Sequence, residues 1–327
     1  MARQGDATAS GRRRVLVLGA TGTIGRATVM ALLERGHYVV CLVRRPPDGL
    51  TGATVRIGDP TDADWLSREG IGAERFDAVL SCLASRTGSP EDAWAIDYRA
   101  HMTALAAAQQ AQIPQFILLS AICVQKPLLA FQHAKLAFEQ ALMESGLTWS
   151  IVRPTAFFKS LSGQVERVRQ GKPFLVFGDG RLTACKPISD RDLGAYLADC
   201  LNDPSRHNRV LPIGGPGPAI TPRDQGEALF RLLGQPPRFR RVPVGLLDGI
   251  IALLSLLGRL SPALASKVQL ARIGRYYATE SMLVRDPVTG RYDADATPTT
   301  GRDLLFDYYR RLLDGTERVE LGDHAVF

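Results

Sequence analysis

What the 327-residue sequence lacks narrows its class first. Its five cysteines, Cys41, Cys82, Cys123, Cys185 and Cys200, are odd in number and widely spaced, and three lie in strand-like apolar runs. That spacing suggests neither a disulfide framework nor a zinc knuckle, so no metal site and a reducing compartment are expected. The opening MARQGDATASGRRR has no apolar stretch of the secretory kind and is short for an organelle transit peptide. A flexible, solvated segment over residues 1–12 and a cytoplasmic location are the expectation. The most apolar stretch, VGLLDGIIALLSLLGRLSPALA at residues 244–265, has an uninterrupted core of residues 249–258, well short of the roughly 18 that a membrane span needs. It reads as a buried lobe helix or as an interfacial one. The Lys267, Arg272 and Arg275 that follow would favour anionic lipid or the carboxylate of an apolar substrate.

No repeat or low-complexity tract is present. Hydrophobic residues at 45% and charged residues at 22% describe ordinary globular usage and exclude a disordered chain or a multi-span membrane protein. The formal charge of +7 suits an acidic ligand, a phosphate-bearing cofactor, nucleic acid or an anionic membrane surface, without choosing among them.

The first half alternates apolar strand-like runs (RRVLVLGA, HYVVCLVRR, ATVRIGD, FDAVLSCLA, QFILLSA, TWSIVRP) with helical segments. Strands apolar almost throughout imply a parallel sheet buried on both faces, hence an α/β, Rossmann-like doubly wound fold over residues 13–158. Beyond it, GQVERVRQGKPFLVFGDGR reads as a helix and hairpin, and PISDRDLGAYLADCL as a helix capped by Ser189 or Asp190. RVLPIGG reads as a strand that returns the chain to the sheet near residues 210–213. Residues 159–327 otherwise form a smaller, mostly helical lobe over the strand ends, where substrate would sit.

VLVLGATGTIG places Gly19, Gly22 and Gly25 between the first strand and a helix over residues 26–35, with Thr21, Thr23 and Ile24 completing the loop. Glycines there permit the tight turn and the close backbone approach to a pyrophosphate that the helix N-terminus attracts. At the end of the second strand an NAD site usually carries an acid for the ribose 2'-hydroxyl, but here the chain reads CLVRRPP. Arg44 and Arg45 would attract the 2'-phosphate of NADPH, the alternative being two solvated surface arginines. Asp59 follows the third strand, where it accepts from the adenine amino group or caps a turn. Leu83 and Ala84, after the fourth strand, would pass beneath the adenine-side ribose through their backbone.

In a carbonyl reductase of this fold a Tyr donates the proton, a Lys four residues later holds the nicotinamide ribose, and a Ser polarises the oxygen. Here Ser120 ends the strand QFILLSA and Lys135 lies in the next helix, but FQHAK puts Phe131 at the tyrosine's place. His133 stands about 200° round the helix from Phe131 and reads as a surface or packing residue.

The stretch LLSAICVQKPLLAFQHAKLAFEQALMESGLTWSIVRPTAFFKSL resembles the NADPH-dependent divinyl chlorophyllide 8-vinyl reductases, atypical NmrA-like short-chain dehydrogenases of chlorophyll and bacteriochlorophyll synthesis. The resemblance runs from about Val15 to TPTTGRDLLFDYY, and SAICVQKPLL followed by Lys135 and IVRPT is its most specific part. It implies hydride transfer from NADPH to the C8 vinyl group of divinyl chlorophyllide or protochlorophyllide, giving ethyl. Hydride on the terminal carbon sends negative charge into the macrocycle, so no phenol beside a carbonyl oxygen is required, although a carbon must still receive a proton. Ser120, Cys123, Gln125 and Lys126 are the candidates for that step. Phe157, Phe158, Phe174 and Phe177, with the 244–265 stretch, would offer apolar surface to a flat macrocycle or serve as core. Lys159, Lys186, Lys267 and Arg272 could each receive its propionate. No nucleic-acid partner is expected; peripheral contact with a photosynthetic membrane or with other pigment-synthesis enzymes stays open. The competing readings are a non-catalytic NADPH-binding subunit, resembling the Rossmann-type accessory subunit of respiratory complex I, and a redox sensor.

Overall fold

The computed structural model describes residues 11–257 and 262–317. Most of the segment expected to be flexible at residues 1–12, and residues 258–261 of the apolar stretch, lie outside the described residues. Seven parallel strands form one sheet: β1 (Arg14–Leu18), β2 (Tyr38–Val43), β3 (Thr54–Ile57), β4 (Ala78–Ser81), β5 (Gln115–Leu119), β6 (Thr148–Pro154) and, after an excursion through residues 155–208, β8 (Arg209–Ile213). Their spatial order is β3-β2-β1-β4-β5-β6-β8. The alternation along β1 shows why such strands are apolar at nearly every position: Val15 and Val17 enter one core, Leu16 and Leu18 the other.

On the first face lie α1 (Thr23–Glu34) and the helix Asp190–Asp199, capped by Ser189, which accepts from the Asp192 N–H. The two helices meet at Gly194, where a Cβ would stand 2.6 Å from the Ala27 carbonyl carbon. The helices His101–Gln110 and Ala130–Met143 cover the second face through Ala104, Leu105, Ala108, Phe138 and Leu142. The chain leaves β1 for β2 and β3 on one side and resumes with β4 on the other. That reversal opens a crevice at the carboxyl ends of β1 and β4, the place where such sheets bind ligands.

A third core lies over those strand ends. Ile122, Cys123 and Leu129 from the loop after β5 pack there with Phe158, Phe174, Tyr276, Met282, Leu305 and Tyr309. FLVF forms β7 (Phe174–Phe177), but not the expected hairpin: it pairs in parallel with β9 (Phe239–Val242), Phe174 opposite Phe239. The two rings pack edge to face at 6.2 Å, and burial of that aromatic pair selects the distant partner over an adjacent turn.

The stretch read as either a buried lobe helix or an interfacial one forms the helix Val244–Leu257, which leaves Leu246, Ile250, Leu253 and Leu256 exposed. It pairs with the helix Pro262–Thr279 rather than sinking into a core. Among the described residues no helix is long and apolar enough to cross a membrane.

The contact at Gly194 supplies a signed test. In a free helix Gly→Ala adds about 1 kcal/mol of stability, but here the new methyl meets backbone, and overpacking of that kind costs about 1–3 kcal/mol. Gly194→Ala should therefore lower the denaturant midpoint; a raised midpoint would refute the close helix crossing.

Candidate active site

Gly19 adopts φ +74°, and a Cβ on it would fall 2.6 Å from the Cys82 carbonyl carbon and 2.8 Å from the Leu83 nitrogen. The loops after β1 and β4 thus touch through backbone alone. A Cβ on Gly25 would fall 2.1 Å from the Gly19 carbonyl oxygen, so the first turn of α1 folds directly against the loop. Gly22 is the N-cap of α1; no side chain caps it and no acid sits in the first turn. Its first amides and positive dipole end are left for an anion. Thr21 gives its carbonyl to Arg26 Nε at 3.1 Å, and Ile24 turns its side chain into the core. The Lys159 ammonium reaches Thr23 Oγ1 at 3.2 Å, adding a cation beside the same loop.

Arg44 and Arg45 are exposed directly after β2. Arg44 lies within electrostatic reach of Asp92, a carboxylate that already accepts from the Arg86 and Thr87 amides and from the Thr87 hydroxyl. Asp59 Oδ1 accepts from the Thr61 amide and hydroxyl at 2.9 and 2.8 Å, holding the turn after β3. Leu83 buttresses the second core, and Ala84 is exposed. A glycine cradle with an uncapped helix start and two exposed arginines past β2 fits a dinucleotide bearing a 2'-phosphate.

The Lys135 ammonium pairs with Asp97 Oδ1 at 2.9 Å, and the two side chains are 10% and 0% exposed. Asp97 also accepts from the Ser85 hydroxyl at 2.5 Å, which ties the ion pair to the loop after β4. One turn beyond Asp97, His101 Nδ1 lies 2.9 Å from the Ile96 carbonyl and Nε2 lies 2.9 Å from Ser81 Oγ. A neutral ring protonated on Nδ1 satisfies both contacts, donating to the carbonyl and accepting from the hydroxyl. Burial first, then the charge of Lys135, lowers the His101 pKa to about 4, with Asp97 opposing. His101 therefore adds no charge beside the ion pair at neutral pH. Asp97 and His101 were not anticipated; the available signal was two polar residues four apart, on one face of the helical segment at residues 94–110.

Ser120 does not present a free hydroxyl to this face. It donates to Glu139, whose carboxylate is gripped by Arg153 through both Nε and a terminal nitrogen. Because neighbouring side chains in extended backbone point oppositely, the next residue, Ala121, turns away from Glu139, and both it and Phe131 pack against the third core. Neither side chain carries a hydroxyl. Gln132, between Phe131 and the exposed His133, accepts from the Leu128 and Leu129 amides and starts the Ala130–Met143 helix.

The remaining candidates hold structure together. Gln125 donates to the Leu283 carbonyl and accepts from the Arg285 amide at 2.8 Å. Lys126 pairs with Glu280 at 2.6 Å, and Glu280 accepts from the Tyr292 hydroxyl. Together they latch the loop after β5 to the C-terminal lobe. Phe158 and Phe174 are core residues rather than macrocycle surface, and Lys186 donates to the Thr297 carbonyl. Lys267 and Arg272 are exposed on the Pro262–Thr279 helix. Among the described residues no cluster of His, Cys, Asp and Glu is placed to hold a metal ion.

Residues 19–204 match the NAD(P)H-binding family. The fold is shared with the NADPH-dependent quinone oxidoreductase of Escherichia coli solved with NADPH, at a TM-score of 0.68 and 19% identity, over 91% of this chain and 99% of that one. Sequence similarity reaches further. The chloroplastic divinyl chlorophyllide a 8-vinyl-reductase of Cucumis sativus is 50% identical over 332 aligned positions, covering 96% of this chain and 79% of that protein. Its counterpart in Arabidopsis thaliana is 47% identical over 94% of this chain and 79% of that protein. With identity at this level over nearly the whole chain, the chain belongs to the divinyl chlorophyllide a 8-vinyl-reductase family.

Proposed function

We propose that this chain reduces the C8 vinyl group of divinyl chlorophyllide to ethyl, with NADPH as reductant. The observation that carries the reading is a cofactor site kept complete beside a reaction face stripped of carbonyl-reductase acids. Lys135 and Asp97 remain as a buried pair, while Ala121 and Phe131 face the reaction and Ser120 serves Glu139. NADPH supplies hydride when bound. The glycine loop takes its pyrophosphate on the α1 amides, Arg44 and Arg45 take its 2'-phosphate, and Lys135 donates to the nicotinamide ribose hydroxyls. Asp97 fixes the Lys135 ammonium, so that the ribose is met by an oriented donor. An apolar face suits a conjugated alkene, whose charge in the transition state spreads over the macrocycle and needs no oxyanion partner.

The exposed apolar side of the Val244–Leu257 helix is read as a membrane-surface contact. Leu246, Ile250, Leu253 and Leu256 form its stripe, and the exposed Arg240, Arg241, Lys267 and Arg272 flank it with positive charge. That combination matches an anionic lipid surface, where an amphipathic pigment would also reside.

Mixed with NADPH and divinyl chlorophyllide, the protein should shift the pigment's Soret band to the blue; an unchanged spectrum with demonstrated NADPH binding would refute the reading. Lys135→Met should lower turnover about 100-fold and, by stranding a buried carboxylate, cost about 3–5 kcal/mol of stability. Adding Asp97→Asn should recover much of the stability and none of the turnover; recovery of both would remove Lys135 from the chemistry. Replacing Arg44 and Arg45 by alanine should raise the NADPH dissociation constant roughly tenfold or more, each charge-assisted bond being worth about 1.5–3 kcal/mol, and leave NADH within about twofold. Equal weakening of both would reject the 2'-phosphate assignment. Cosedimentation with phosphatidylglycerol vesicles should fall roughly tenfold in Leu246→Ser/Leu253→Ser, and a wild type that stays in the supernatant would exclude the membrane contact.

A further inference from the structure

A cation from outside the glycine loop stands beside its helix start. We propose that Lys159, delivered from the third core, is the counter-ion of the cofactor's pyrophosphate rather than the receiver of the pigment's propionate. The inference rests on the cofactor half of the vinyl-reductase reading.

Two positive features meet here with no anion between them. Gly22 caps α1 without a side chain, the first turn holds no acid, and the dipole of a 12-residue helix leaves positive charge at this end. The Lys159 ammonium reaches Thr23 Oγ1, on the first residue of that helix, at 3.2 Å. Cations are favoured at the opposite end of a helix, so this placement is unfavourable until an anion enters. Among the described residues no carboxylate pairs with Lys159, and the threonine hydroxyl that its ammonium meets carries no charge to balance it. Arg26, the other cation of the first turn, is already engaged, its guanidinium donating to the Thr21 and Asp48 carbonyls. Thr23 is exposed and Lys159 only partly covered, so a ligand can reach both.

The backbone behind the ammonium is fixed. Lys159 is the second residue of the short helix Phe158–Leu161, which the Phe158 ring anchors in the third core against Tyr308, at 5.5 Å between centroids. The Phe158 amide donates to the Ile188 carbonyl at 3.2 Å, the Ser162 hydroxyl to the Lys159 carbonyl at 2.7 Å, and the Tyr309 hydroxyl to the Leu161 carbonyl at 2.6 Å. Residues of the third core thus hold the main chain while the charged head crosses to the cradle. A pyrophosphate received on the α1 amides is then gripped from two sides, by backbone N–H groups and by the compact point charge that a lysine supplies.

This role differs from that of Arg44 and Arg45 in what it discriminates. The pyrophosphate is common to NADPH and NADH, whereas the 2'-phosphate belongs to NADPH alone.

The test titrates NADPH and NADH by fluorescence into wild type, Lys159→Met and Lys159→Arg, and displaces NADPH with 2'-AMP, which carries a 2'-phosphate and no pyrophosphate. Lys159→Met should weaken NADPH and NADH by the same factor, about tenfold or more, and leave 2'-AMP within about twofold. Lys159→Arg should restore most of the affinity for both cofactors. Unchanged cofactor constants in Lys159→Met would overturn the proposal, and a raised KM for the pigment beside them would give Lys159 to the propionate. Weakening of NADPH alone would overturn it in favour of the 2'-phosphate. A parallel loss of 2'-AMP, or no recovery with arginine, would overturn it by making the effect one of structure. A wild type that binds neither cofactor would count against the parent reading and this one together, whereas a failure of Lys159 alone leaves the parent reading intact.

Discussion

A single buried ion pair, Lys135 with Asp97, organises the end of this molecule where the cofactor cradle lies. Two charges removed from water are costly unless each finds a partner, so the segment carrying Asp97 and the helix carrying Lys135 must meet at one register. Ser85 extends that requirement to the loop after β4, and Gly19 extends it to the loop after β1 by letting their backbones touch. His101, kept neutral by burial and by Lys135, adds no second positive charge to upset the balance. Packing thereby ties the glycine loop, the loop after β4 and the helix carrying Lys135 to one another.

The same structure explains how a fold used for carbonyl reduction serves an alkene. The hydroxyl that ends β5 is drawn into a structural clamp with Glu139 and Arg153, and the face beyond it is lined with carbon. The loop after β5 is then sewn to the C-terminal lobe by Gln125, Lys126 and Tyr276. Polar residues that look like candidates for chemistry are consumed in holding the lobe over the strand ends.

How far this could be read from sequence depended on the reach of each interaction. The parallel sheet was legible because burial on both faces writes itself locally, as in RVLVL and QFILL, and the glycine loop because its constraint is a backbone one. The partner of FLVF was not, since β9 arrives from residues 239–242 and no turn signal points to it. Asp97 was missed for the same reason: its meaning lies in Lys135, contributed by another element. The Val244–Leu257 helix was legible as apolar but not as buried or interfacial, because burial needs a covering neighbour, and only the structure shows that none among the described residues hides Leu246, Ile250, Leu253 and Leu256. Ser120 is legible at the end of its strand, but Glu139, the partner that takes its hydroxyl, is contributed by another element.

The central claim is that hydride enters the terminal vinyl carbon while the inner carbon is protonated, with no oxygen of the substrate taking part. Reduction with NADPH deuterated at the transferred position, in ordinary water, followed by NMR of the pigment's new ethyl group, tests this most directly. One deuterium in the methyl group and none in the methylene is the predicted result; deuterium in the methylene would contradict the account.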